Sequence, residues 1–211
     1  MTPRARLALR RRQAALRGFM RRVVSLAQAR RLKEAEALVG RIINLEPRCH
    51  WGYFYRAGLR LARGEQAGAV QDFRSLERLP PEWALFLREP QPYPAFLNGP
   101  IHEGLARLVT PPPPWASLFA AFLYKGEDKW QECVAAIEAA VTGAPDDPVV
   151  LAWSGRLRYR FRLPVEGRRE MERAYQLAPR CPWICSWIGS APRSRVAPPL
   201  RPRHPQTEAS R

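Results

Sequence analysis

The feature that most constrains this chain is a stride of 34 residues. The segments INLEP, ERLPP, TGAP and QLAP end at Pro47, Pro81, Pro145 and Pro179; the first two prolines lie 34 residues apart, as do the last two, and the gap of 64 between them is close to two strides. Small residues keep the same step, with Ala35 and Ala69, Cys133 and Gly167, and Gly155 and Gly189 each separated by 34. A step of this length accommodates two short helices and their turns. Small side chains at fixed points are what such a pair needs where its axes come closest, because extra methylenes at a packed contact cost about 1–3 kcal/mol.

The clearest unit runs from His50 to Trp83, HWGYFYRAGLRLARGEQAGAVQDFRSLERLPPEW. Tyr53 supplies a large aromatic in the first helix, Ala57 a small contact residue and Gly64 the turn. Ala69-x-x-x-Phe73 gives a small-to-aromatic step in the second helix, and Pro81 closes the unit. In these positions the chain resembles the tetratricopeptide repeat (TPR) family. A second unit offers Leu151, Gly155, Gly167, Met171, Ala174 and Pro179, with Arg162-Leu163-Pro164 where the turn glycine would stand. Its Arg156 to Arg162 run alternates with the period of a strand, but the 34-residue register reads it as helix. Two looser units carry Phe19, Val23, Ala35, Val39 and Pro47, and Ala121, Cys133, Ile137, Ala140 and Pro145.

The resemblance covers roughly 130 of the 211 residues. It implies an all-α fold, a right-handed superhelical array of antiparallel helix pairs (a TPR-like α-solenoid). The units fall at about 16–47, 50–81, 114–145 and 148–179, within a repeat domain spanning 16–190.

Residues 84–113 interrupt the pattern with Pro90, Pro92, Pro94, Pro100 and Pro111 to Pro114. Prolines at that density exclude a continuous helix pair, since each removes a backbone donor and clashes with the preceding turn. A short helix from about Ile101 to Val109 is expected, in an ordered insert packed on the array, because Trp83, Phe86, Tyr93 and Phe96 are too apolar for a free linker. After CPWICSWIG the text turns Pro- and Arg-rich, so 191–211 reads as a disordered tail and the array stops half-way through a unit. Trp183, Ile184, Trp187 and Ile188 are then expected to be partly uncovered, which points to a covering partner or a truncated or alternatively spliced end.

The net charge of +16 sits at the two ends: residues 1–33 hold eleven basic and no acidic side chains, and residues 34–192 are close to neutral. The charge therefore describes a basic extension at 1–15 and its neighbourhood rather than the repeat body. An Arg-rich, acid-free start suits RNA or an anionic surface, and it also resembles a mitochondrial transit peptide. No apolar run approaches the roughly 20 residues of a membrane span. Four cysteines, without paired C-x-x-C spacing, suit a reducing interior. The expected location is cytoplasmic, with the mitochondrial matrix as alternative.

Catalytic and metal signatures are absent from the text. His50, His102 and His204 lack ligand spacing, and no H-E-x-x-H, P-loop or G-x-S-x-G pattern occurs. Cys181-x-x-x-Cys185 reads as two small residues in a helix contact, Asp146-Asp147 before Pro148 as a helix N-terminal signal, and Glu127-Asp128 as a turn. The expectation is a non-enzyme without cofactor or metal that binds another protein. The family resemblance implies a groove lined by first helices, which nominates Trp51, Phe54, Tyr55, Trp115, Leu118, Phe122, Arg156, Tyr159 and Arg160. Aromatics beside arginines suit a peptide or helix with apolar anchors and acidic groups. The carboxylate clamp of some family members is not expected, because the corresponding positions include Met20, Val24, Phe54 and Gly58. Pro199-x-x-Pro202 resembles a polyproline ligand only faintly. The RNA or anionic-surface reading is the alternative, and oligomeric state is not legible.

Overall fold

The computed structural model describes residues 18–82, 84, 95–108, 110–160 and 163–190, with side chains undescribed at 95, 160, 189 and 190. The basic extension, the C-terminal tail, Arg162, Trp83, Phe86 and Tyr93 lie outside the described residues. All regular structure among the described residues is helical. Helix α1 covers 18–28. It is followed by α2 (Leu32–Leu45), α3 (His50–Ala62), α4 (Gln66–Leu76), α5 (Asn98–Ala106), α6 (Pro114–Gly126), α7 (Trp130–Gly143), α8 (Pro148–Arg160), α9 (Pro164–Leu177) and α10 (Pro182–Ser190).

The stride appears in the helix boundaries themselves. Helices α6, α8 and α10 open on Pro114, Pro148 and Pro182, each 34 residues after the last. Proline suits a first helical position, where a backbone N–H would have no intrahelical partner. Asp147 caps α8 as its position suggested: Oδ1 accepts the Val149 and Val150 N–H groups at 2.8 and 3.1 Å. Within pairs, the turn residues Arg30, Gly64 and Asp128 hold left-handed backbone with φ of 59°, 77° and 56°. They occupy the same register point, and the sequence pointed to a turn at Gly64 and at Asp128 but not at Arg30.

Four residue pairs twelve apart are buried, one member on each helix of a pair: Val23 and Ala35, Ala57 and Ala69, Ala121 and Cys133, Gly155 and Gly167; the last two pairs are in direct contact. The Cys133 thiol donates to the Ala121 carbonyl at 3.1 Å. At the last pair a Cβ on Gly155 would stand 2.5 Å from the Gly167 carbonyl oxygen, and one on Gly167 would stand 2.6 Å from that of Gly155. No side chain fits between these backbones.

Successive pairs then share one interior. Helix α4 packs directly on α6, so the array continues across the insert. Aromatic rings run the length of that interior: Phe54 of α3 meets Phe119 of α6 at 4.8 Å between centroids, and Phe122 meets Trp153 of α8 at 5.0 Å. Trp153 in turn meets Trp187 of α10 at 4.9 Å. The end of the array is sealed rather than open, against expectation. Trp183, Ile184 and Trp187 are 3%, 1% and 6% exposed, and only Ile188 is half-buried. The reason is that α10 turns onto α9, and the Trp183 indole donates to the Pro81 carbonyl at 2.7 Å, 102 residues away.

The expected short helix of the insert is α5, which starts at Asn98 and ends at Ala106, earlier at both ends than Ile101 to Val109. Pro100 falls in its first turn, where a missing N–H breaks no intrahelical bond.

A charged network binds the first helix pairs together. Asp72 of α4, 1% exposed, accepts from Arg56 at 2.6 Å and Arg60 at 2.9 Å, while Arg60 also reaches Glu36 of α2 at 2.8 Å. Arg63 pairs with the same Glu36. Replacing Asp72 by Ala removes a buried carboxylate that two arginines share, and a loss of about 3 kcal/mol is expected in urea denaturation, with Asp72→Asn losing less. Gly155→Ala should lower stability by about 1–3 kcal/mol, several degrees of melting temperature. Gly40→Ala, in α2 with nothing within 4 Å of the added Cβ, should raise it by up to about 1 kcal/mol.

Candidate interaction face

The nine nominated residues divide sharply. Trp51, Phe54, Tyr55, Trp115 and Leu118 are all 2% exposed or less, so their nomination as groove residues is corrected. Phe54 and Trp115 meet at the junction between α3 and α6, where Phe54 touches the rings of Trp115, Phe119 and Phe122, while Trp51 and Tyr55 stack on each other along α3 at 5.0 Å. The apolar area that recommended these residues for a partner is used up inside the array. Phe122, Arg156 and Tyr159 stay half-buried on the first helices α6 and α8. Arg160 belongs to α8 by backbone, and its side chain is outside the described set.

What the structure brings together is therefore a smaller face in the C-terminal half. The Arg156 guanidinium lies 4.5 Å from the centroid of the Trp187 ring and 6.0 Å from that of Trp153. Phe122 packs edge-on against the same Trp153. Sequence reasoning missed Trp153 and Trp187, which underlie this face, although both fall at the register point of the nominated Tyr55, 98 and 132 residues further on. Met20 and Val24 are half-buried and Phe54 and Gly58 buried, and none of these side chains carries a charge with which to clamp a carboxylate.

The titratable groups are tied into the packing. Trp115 donates its indole N–H to Asp147 Oδ2 at 2.9 Å, and burial raises the Asp147 carboxyl against the opposing pull of its capping bonds. Glu170 is pushed up to about 7 by burial, opposed by Arg158, whose Nε stands 3.0 Å from Oε1. Cys133 is pushed up to about 12 by burial, which leaves it a packing residue without thiolate character. Among the described residues no group of three or more His, Cys, Asp or Glu side chains is placed to hold a metal ion. Two open clefts formed by described residues line the array. One of about 570 Å³ lies at the ends of α4 and α7 and the starts of α6 and α8, with Glu77, Asp146 and Asp147 among its walls. The other, of about 400 Å³, lies between α5, α6 and α7.

His50 is fully buried at the start of α3, 5.7 Å from the Trp115 ring, and burial drives its pKa down to about 4. An unfolded chain takes up this proton near pH 6.5 while the fold resists it to about pH 4. Stability is therefore complete above that window and falls through it as pH is lowered, by about 3 kcal/mol at most. His50→Phe should flatten this dependence: the difference between wild type and variant in urea-unfolding free energy should change by roughly that amount between about pH 7 and about pH 4. Parallel curves would contradict it.

No protein-family model matches the chain, and no curated protein matches it. Among solved structures it is similar to a thermophilic TPR protein in Thermus thermophilus, with 18% identity, a TM-score of 0.41, and coverage of 83% of this chain and 97% of that one. It is also similar to YrrB, a TPR protein with an unusual peptide-binding site, at 10% identity and a TM-score of 0.39, covering 81% of this chain and 90% of that one. The chain is an array of helix pairs by its own geometry: helix starts at Pro114, Pro148 and Pro182 and left-handed turns at Arg30 and Gly64 both keep the 34-residue stride.

Proposed function

We propose that the chain is a non-catalytic protein–protein interaction scaffold that holds a peptide or helix of a partner on the first-helix face of its C-terminal half. The observation that carries this reading is the Arg156 guanidinium over the Trp187 ring, with Phe122 half-buried against the neighbouring Trp153 and Tyr159 half-buried one turn along α8. Tryptophan, tyrosine and arginine contribute disproportionately at interfaces. The guanidinium is a planar fork of donors of the shape that matches a carboxylate. The partner segment that fits combines an apolar anchor with an acidic residue one or two positions away.

Affinity capture with the full chain, followed by Arg156→Glu combined with Tyr159→Ala, tests this directly. Bound partner should fall tenfold or more while helical content is unchanged; equal capture by the double variant would remove the reading. A second reading, binding of RNA or an anionic surface, is favoured by one observation: Arg21, Arg22, Arg30, Arg31 and Lys33 are all exposed on the first helix pair, where Glu34 pairs with Arg31. Such binding should weaken by orders of magnitude between about 50 and about 200 mM salt and should lose affinity on deletion of residues 1–15.

A further inference from the structure

Helix α5 does not belong to the stride, yet it lies against the ends of two first helices that do. Its Gly104 sits so close to α3 that an added Cβ would stand 2.7 Å from the Leu61 carbonyl oxygen. His102 stacks on Tyr124 near the end of α6, with ring centroids 5.0 Å apart, and its Nε2 is 2.9 Å from Glu127 Oε1. Leu97 and Ile101 are buried at 2% and 0% exposure. Just upstream, the Phe96 ring lies 4.9 Å beneath the Arg30 guanidinium in the α1–α2 turn. The segment thus touches three units of the array while being part of none.

We propose that residues 95–108 act as an intramolecular ligand: a docked helix that covers the junction between the C-terminal ends of α3 and α6 and opens as a unit ahead of the rest of the fold. Three observations bear on how weakly it is held. At nine residues α5 is shorter than a helix that is stable alone. It carries Gly99, Pro100 and Gly104 within those nine residues, all poor helix formers. It also packs incompletely, because the cleft of about 400 Å³ lies between it and the small residues Ala116 and Ala120 of α6 and Ala136 of α7. An element with few buried side chains and an unfilled cleft at its back belongs to the low end of local stability. When it opens, it uncovers apolar surface around Leu61 and Tyr124 on the same set of first helices that the proposed function uses. The significance of that surface rests on the interaction-scaffold reading, but the opening is measurable on the chain alone, so the two fail separately.

Hydrogen exchange read by mass spectrometry on the full chain tests the proposal, with Gly104→Leu to lift α5 from Leu61 and His102→Ala to remove the contact with Glu127. In the wild type, residues 95–108 should exchange at least tenfold faster than 148–177. Both variants should raise exchange in 95–108 and in the last turns of α3 and α6 together, tenfold or more for Gly104→Leu. Residues 148–177 should not change, and anilinonaphthalene sulfonate fluorescence should increase while helicity of the other helices is kept. Wild-type exchange of 95–108 at the rate of the whole fold would overturn it, as would variants that raise exchange equally everywhere or unfold the chain outright, because α5 would then be an integral part of the core.

Discussion

Everything in this fold depends on how closely the two helices of a pair approach. At Gly155 and Gly167 the backbones leave no room for a Cβ, and at Ala121 and Cys133 a thiol reaches the opposite carbonyl. Contacts this tight fix the crossing point of each pair, and the same twelve-residue spacing in all four pairs fixes it at the same place each time. Equivalent pairs present equivalent faces, so each can stack on the next. The continuous ring-to-ring interior from Phe54 to Trp187 follows from that equivalence.

Stacking also explains which surfaces are left for function. Phe54 and Trp115 are used between units, and they and Trp51 are buried out of reach of a partner. Further along, Arg156 lies over two indoles that are themselves buried. The acidic groups follow a similar logic: Asp72, Asp147 and Glu170 each pair with or cap a neighbouring element, so the chemistry they carry is that of assembly.

Helix pairing was legible in the sequence because it is written in residues with few conformational options. Prolines that close units and small residues at contacts tolerate little else, so a fixed stride between them survives degenerate text. The left-handed turn at Arg30 was not legible, since arginine does not signal that backbone by its type, whereas Asp128 reads as a turn. The interaction face was half legible. Register identifies which residues point from the first helices, but whether an aromatic there meets a partner or the next unit depends on how tightly units stack, and that is a long-range quantity. The Trp183 to Pro81 bond, spanning 102 residues, is the extreme case. The charged network at Asp72 was missed because nothing local in the sequence pairs Arg56, Arg60 and Arg63 with the carboxylates that α2 and α4 bring to them.

The central claim is that helix pairs on either side of the insert share one interior, with α3 packed across onto α6. A double-mutant cycle on Phe54 and Phe119, whose rings are 4.8 Å apart though 65 residues separate them, tests it most directly. If the claim holds, the two Phe→Ala changes are non-additive by about 0.5–1.5 kcal/mol in unfolding free energy. Additivity within about 0.3 kcal/mol would mean that the insert divides the chain into separate bodies.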